Sequence, residues 1–219
     1  MTDFATRRRM MVDSQVRPSD VTDLRLIGVM EALPRESFLP PAVQSLAYLD
    51  LDLAPVSGSA RRMLKPMVLS RLVQAAAVGR GDRVLDVGCL TGYSSALLAQ
   101  LGGAVVALDD DPALTAAAAR CLAAVGQLDV VVETGPLPAG APQHGPYDVI
   151  LVNGACADEP ESLLAQLADG GRLACVQGAG PVGRATLYLR TGDLVGRRVL
   201  FDAVAPVLPG FAKEAGFVF

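Results

Sequence analysis

The residues best suited to bind a ligand lie in one short stretch, the segment VLDVGCLTGY from Val84 to Tyr93. An apolar strand candidate ends in the acid Asp86, a glycine-bearing turn follows, and a helix candidate begins. Glycines allow the backbone of such a turn to approach a ligand closely, and the N–H groups of the following helix point toward it. The pattern predicts a nucleotide-like ligand at this strand end; the alternative is a tight turn with no ligand.

A second acidic position supports the first. Asp109 lies at the end of the next apolar run, 23 residues after Asp86, and is followed by Asp110 and Asp111. An acid at the end of this strand can accept hydrogen bonds from both hydroxyl groups of a ribose. Asp111 precedes a proline, so we expect it to cap the next helix instead. Asn153 ends a later strand candidate and is predicted to lie at the same edge, against the ligand or its reaction partner.

The glycine spacing separates two nucleotide ligands. NAD-binding turns have the pattern G-x-G-x-x-G. Here Gly88 and Gly92 fit the G-x-G-x-G turn of methyltransferases that use S-adenosylmethionine (AdoMet), with Leu90 in place of the middle glycine. AdoMet is therefore the predicted cofactor, and NAD remains the alternative. Cys89 is expected to be a small apolar filler of the turn. The predicted cofactor-binding residues are Asp86, Gly88, Cys89, Leu90, Thr91, Gly92, Asp109, Asp110 and Asn153.

The elements around these residues indicate an α/β protein. Short apolar runs alternate with Ala/Leu-rich helical stretches, which favours a doubly wound, mostly parallel sheet that is buried on both faces. Residues 1–65 differ, because they are charged and punctuated by prolines, and they predict a helical N-terminal appendage that covers the cleft of a Rossmann-like domain at 66–219. The strand candidates are 83–86, 104–109, 130–133, 148–153, 172–177 and 185–190, and the helix candidates are 23–33, 93–101, 112–125 and 159–167.

Composition excludes several classes of protein. The chain has 219 residues, of which 51% are hydrophobic and 19% charged, as in globular proteins. A net charge of −4 argues against nucleic acid as a partner, and the single histidine argues against a histidine-rich metal site. Four cysteines without a C-x-x-C pair favour reduced thiols in the cytoplasm. The charge-free run 87–108 is interrupted by glycines and polar residues, so we expect no membrane partner.

Several segments outside the glycine turn resemble one enzyme family. The segment PRESFLP at 34–40 and the segment PESLLAQLADGGRL at 160–173 are accompanied by similar stretches at 11–15, 23–30 and 147–153. Over nearly the whole chain they resemble the protein-L-isoaspartate O-methyltransferases. The resemblance implies AdoMet-dependent methyl transfer to a carboxylate of a protein or peptide. Two alternatives stay open, namely transfer to another small acceptor and a catalytically weak protein of the same fold that acts as a binding module.

The chain departs from this family at its substrate-side segment. Aligning the proline of the family's G-Q-T-I-S-Q-P segment on Pro66 places the segment RRMLK at 61–65 before it, without the threonine and serine. Leu64 takes the place of the serine and cannot donate a hydrogen bond. We therefore expect an isoaspartyl peptide to be a poor acceptor. The substrate-side candidates are Ser57, Ser59, Leu64 and Pro66. No catalytic base is predicted, because a carboxylate acceptor is already ionised at neutral pH.

Overall fold

A seven-stranded sheet organises the chain. The computed structural model describes residues 3–55, 61–178, 180 and 182–212, so the candidates Ser57 and Ser59 lie outside the described residues. The helices are α1 (Phe4–Met11), α2 (Leu24–Ala32), α3 (Pro66–Ala76), α4 (Tyr93–Gln100), α5 (Pro112–Ala124) and α6 (Glu161–Leu164). The strands are β1 (Arg83–Val87), β2 (Ala104–Asp109), β3 (Val131–Thr134), β4 (Tyr147–Cys156), β5 (Leu167–Gln177), β6 (Arg184–Thr191) and β7 (Leu194–Asp202).

The strand order is β3-β2-β1-β4-β5-β6-β7. Strands β1 to β5 are parallel, whereas β6 and β7 are antiparallel to their neighbours. Val84 and Val149 face one hydrophobic cluster while Leu85 and Ile150 face the other, so the centre of the sheet is buried on both faces. The predicted doubly wound, mostly parallel sheet is confirmed. The order reverses between β1 and β4, where ligands of such folds bind beyond the carboxyl ends of the strands.

One predicted helix is shorter than expected, and three elements were not predicted. The predicted helix 159–167 shortens to the four residues of α6, because Leu167 already begins β5. Strand β7 was not predicted, since Gly196 and two arginines interrupt its apolar run and most of its residues are exposed. Helices α1 and α3 were not predicted either. In α3, Leu69, Leu72, Val73 and Ala76 form a buried apolar stripe opposite Arg71 and Gln74, so its sequence carries a helical pattern that the prediction missed.

The N-terminal segment packs into the same hydrophobic cluster as α3 and α4. Buried Arg35 links parts of this segment by donating to the carbonyls of Ala47 (2.9 Å) and Leu64 (2.8 Å), and its guanidinium contacts the remainder of the chain 4.8 Å over the ring of Tyr93. Its helical character is as expected, while the boundary at residue 65 and its role as a cleft cover stay predictions. In the described part of the chain, no helix combines the length and the apolar character needed to cross a membrane.

Candidate functional site

The glycine turn between β1 and α4 alternates left-handed backbone angles. Gly88, Leu90 and Gly92 have φ of +75°, +56° and +91°. Glycine adopts this region freely, whereas leucine reaches it at a cost of about 1 to 2 kcal/mol. Leu90 is held there because its N–H donates to Asp109 Oδ2 (2.8 Å) and its side chain is only 3% exposed. The turn therefore keeps the shape expected of a glycine at the middle position.

The carboxylate of Asp86 serves to hold neighbouring elements together. It is fully buried and accepts hydrogen bonds from Ser94 Oγ (2.8 Å), Ser95 Oγ (2.5 Å) and the side-chain amide of Asn153. These contacts join the end of β1 to the first turn of α4 and to β4. Burial raises the pKa of Asp86 to about 6, although all three donors lower it. Two predicted cofactor residues, Asp86 and Asn153, thus bind each other. The two serines were not predicted as partners, because no local pattern marks them.

The second acidic position is paired with an arginine from the segment 61–65. Arg61 Nη2 lies 2.9 Å from Asp109 Oδ2, and Arg61 Nη1 lies 3.2 Å from Asp109 Oδ1 and 2.6 Å from Asp110 Oδ1. Asp109 is fully buried and the Arg61 side chain is 11% exposed. Burial raises the pKa of Asp109, and the charge of Arg61 opposes this shift. Asp111 caps α5 through the N–H of Ala113 (2.8 Å), as predicted.

Side chains of the chain itself pack directly on the glycine turn. A Cβ atom at Gly88 would lie 3.1 Å from Arg61 Nη2 and 3.1 Å from Leu208 Cδ1. Leu208 follows β7 and is fixed by its N–H to the carbonyl of Ala155 (3.0 Å). The space left between the turn and the segment 61–65 is about 10 Å³, which holds one water at most. The close approach offered by Gly88 is therefore taken by Arg61 and Leu208.

An open groove adjoins this crowded turn. It measures about 350 Å³ and lies beyond the ends of β2 and β3. Three prolines and Leu137 give the groove apolar walls, and Asp110 is the one acid among its described lining residues. Walls of this kind suit an aromatic base. Its lining residues are Asp110, Gly135, Pro136, Leu137, Pro138, Pro209 and Gly210.

The remaining predicted site residues are buried and contact other parts of the chain. Cys89 is buried, and burial raises the pKa of its thiol, as expected of an apolar filler. The hydroxyl of Thr91 donates to the carbonyl of Phe38 (2.7 Å) and so fastens the turn to the N-terminal segment. Leu64 and Pro66 are buried too, so neither predicted substrate-side residue presents its side chain to an arriving acceptor. The described residues contain no cluster of three potential metal-ligating side chains.

Comparisons with known proteins converge on one description. The family model for protein-L-isoaspartate(D-aspartate) O-methyltransferase matches residues 6–190. A protein-L-isoaspartate O-methyltransferase of Methylorubrum extorquens is 40% identical over 189 residues, covering 86% of this chain and 81% of its own. One of Roseiflexus castenholzii is 33% identical over 211 residues, covering 96% and 95%. A Plasmodium falciparum structure described as such an enzyme in complex with S-adenosyl-L-homocysteine superposes with a TM-score of 0.79 at 16% identity, covering 92% and 97%.

Proposed function

Because this chain belongs to the protein-L-isoaspartate(D-aspartate) O-methyltransferase family, we propose that it transfers the methyl group of AdoMet to a carboxylate of a protein or peptide. The observation that carries the proposal is Asp109, which ends β2 beside the glycine turn where the strand order reverses. The family uses AdoMet, which decides against NAD as the ligand of this turn. The four cysteines are free thiols, which supports a cytoplasmic location as part of the proposal.

The residues present suit the nucleoside half of AdoMet. Asp109 offers a strand-end carboxylate for the ribose hydroxyls, and the groove between Asp110 and Pro209 offers apolar walls for the adenine. Gly88 lacks the Cβ atom that would block close approach of a ligand to the backbone.

The proposed chemistry demands positioning more than acid or base catalysis. AdoMet supplies an activated methyl group when bound, and the acceptor carboxylate is ionised at neutral pH. The chain therefore has to align the acceptor and exclude water. Cys89 and Leu90 supply an apolar wall at the turn, and the anchored segment 61–65 covers it.

A binding experiment tests the cofactor half of the proposal. Asp109→Ala should weaken binding of S-adenosylhomocysteine by about 10-fold to 150-fold, the equivalent of about 1.5 to 3 kcal/mol for hydrogen bonds to a charged group. Asp111→Ala is the control: it removes only the cap of α5, so affinity should hold while stability falls by about 1 kcal/mol. Isothermal titration calorimetry measures the affinities, and equal losses in both variants would contradict the role of Asp109.

A labelling experiment tests the acceptor half. With AdoMet carrying a radioactive methyl group, we expect base-labile label on an isoaspartyl peptide, at a rate well below that of a relative with the complete G-Q-T-I-S-Q-P segment. The reason is that Leu64 and Pro66 are buried and the segment RRMLK lacks the threonine and serine. The same peptide with a normal aspartyl residue is the control. Absence of base-labile label on every peptide and protein offered would refute carboxyl methylation.

A further inference from the structure

The carboxylate of Asp109 has no acceptor position left for a ribose. Its Oδ2 receives the N–H of Leu90 and Nη2 of Arg61, and its Oδ1 receives Nη1 of Arg61 and, at 3.3 Å, the N–H of Asp111. A carboxylate has about four lone-pair sites, so these four donors saturate it. Two of the four are backbone groups fixed by the turn and by the start of α5. Ribose hydroxyls can therefore reach Asp109 only where Arg61 donates now.

The guanidinium of Arg61 also takes the space above the turn. Its Nη2 lies 3.1 Å from the point where a Cβ of Gly88 would be, which is the approach that glycine at this position leaves open. Arg61 therefore holds the hydrogen-bonding partner that a bound nucleoside requires and, together with Leu208, part of the space beside Gly88.

We propose that Arg61 competes with the ribose of AdoMet for Asp109, so that this side chain has to leave the carboxylate before the cofactor binds and thereby sets the cofactor affinity. The inference rests on the proposed function and adds a residue that determines affinity at the same site. Arg61 acts here as an internal competitor of the cofactor, and Asp110 holds it in place.

The backbone around Arg61 is anchored independently of its guanidinium. Met63 and Leu53 exchange two backbone hydrogen bonds of 2.8 and 3.1 Å, and the carbonyl of Leu64 is held by Arg35. An arginine side chain is long and rotates about several bonds, so it can swing away from Asp109 without moving these anchors. Release of the site therefore requires a change of rotamer and no unfolding of the segment 61–65.

The size of the effect follows from the population of the open arrangement. When only a fraction of the molecules can bind, the apparent dissociation constant rises by the inverse of that fraction. A bidentate arginine–carboxylate pair that is largely buried, with a second carboxylate in support, favours the closed arrangement strongly. An open fraction of about 1 to 10% would make the native chain bind about 10-fold to 100-fold more weakly than a chain without the guanidinium.

Calorimetric titration of S-adenosylhomocysteine into the full chain tests the proposal. Arg61→Ala should bind about 10-fold to 100-fold more tightly than the native chain. Arg61→Gln, which keeps hydrogen-bond donors without the charge or the fork, should fall between the two and provides a second variant if Arg61→Ala fails to fold. Lys65→Ala is the matched control, since it removes one positive charge from the same segment away from Asp109; its affinity should equal that of the native chain.

A double-mutant cycle shows whether Arg61 acts through Asp109. In the Asp109→Ala background, removal of Arg61 should give little or none of the gain seen in the native background. A full gain in that background would overturn the competition for Asp109. Equal, measurable affinities of the native chain and both Arg61 variants, or weaker binding by Arg61→Ala, would overturn it while leaving the proposed function standing. No binding by any of these chains would refute the proposed function and this inference together.

Discussion

Asp86 is a buried carboxylate whose ionisation opposes folding. Its pKa rises from 3.8 to about 6 in the folded chain because burial outweighs the three donors around it. The folded state thus holds the proton more tightly than the unfolded state. The contribution of Asp86 to stability is therefore complete below about pH 4 and is lost as the pH rises to about 6, a loss of up to about 3 kcal/mol.

Replacement of Asp86 makes this pH dependence measurable. In Asp86→Asn, the free energy of unfolding should decrease between about pH 4 and pH 6 by up to about 3 kcal/mol less than in the native chain, because one group with a raised pKa is gone. Urea unfolding at several pH values between 4 and 7 provides the comparison. Asp193→Asn, in the exposed turn between β6 and β7, should keep the native profile. Parallel profiles for the native chain and Asp86→Asn would show that Asp86 does not titrate in this window.

Local sequence patterns predicted the glycine turn and Asp109 but did not predict the side chains that contact them. The spacing of Gly88, Leu90 and Gly92 was sufficient to predict a left-handed turn, and the strand end was sufficient to place Asp109 beside it. The ion pair of Arg61 with Asp109 spans 48 residues, and no local pattern marks it. The basic residues at 61–65 and the three acids at 109–111 were the only hint of this ion pair. Such basic clusters more often form a face exposed to solvent than a buried ion pair.

Two arginines within the segments that carry the family resemblance fasten one element to another. Arg35 donates to the carbonyl of Leu64 and so links the segment 34–40 to the segment 61–65. Arg172 donates from β5 to the carbonyls of Ala76 (2.5 Å) and Ala77 (2.6 Å) at the end of α3. Arginine is suited to this task because its fork carries five donors. These two arginines therefore stabilise the fold around the site.

The contribution of the Arg172 hydrogen bonds to the free energy of unfolding can be measured. Besides the end of α3, its side chain reaches the carboxylate of Asp82 (2.7 Å) and the carbonyl of Asp148 (3.2 Å). Lysine cannot supply all these bonds, so Arg172→Lys should lower the free energy of unfolding by about 1 to 3 kcal/mol, as for lost hydrogen bonds of a charged group. Urea denaturation measures it, with exposed Arg198→Lys as a control expected to change stability by less than about 0.5 kcal/mol.

Apolar runs predicted the elements in the centre of the sheet and failed at its margins. The candidate 104–109 coincides with β2, and the candidate 112–125 ends one residue after α5. β2 lies in the interior, where burial requires continuous apolar sequence, and α5 buries one face through Leu114, Ala118 and Leu122. α6 and β7 lie where the chain meets solvent, so packing imposes little pattern on their residues. The pattern of apolar residues in a sequence therefore indicates which residues are buried more directly than it indicates their secondary structure.

At the scale of the whole molecule, the site depends on contributions from distant parts of the chain. Asp109 ends β2, Arg61 comes from the segment before α3, and Leu208 comes from the chain after β7. The contributions of Arg61 and Leu208 were not predicted, because long-range packing leaves no periodic signal in the sequence. The charge-free run 87–108, long enough to cross a bilayer by its length alone, forms the turn, α4 and most of β2.

The exposed margin formed by β7 bears on how the protein behaves at high concentration. Within the described ranges of the chain, β7 pairs with β6 alone, and its other edge lies beside the exposed side chains of Leu194, Val195 and Val199. A bare, apolar edge of this kind invites another molecule to extend the sheet, which is a route to aggregation. Arg197 and Arg198 lie in the middle of the strand and are exposed. Two copies joined antiparallel along β7 would bring these like charges together. We therefore expect the two arginines to disfavour aggregation through this edge.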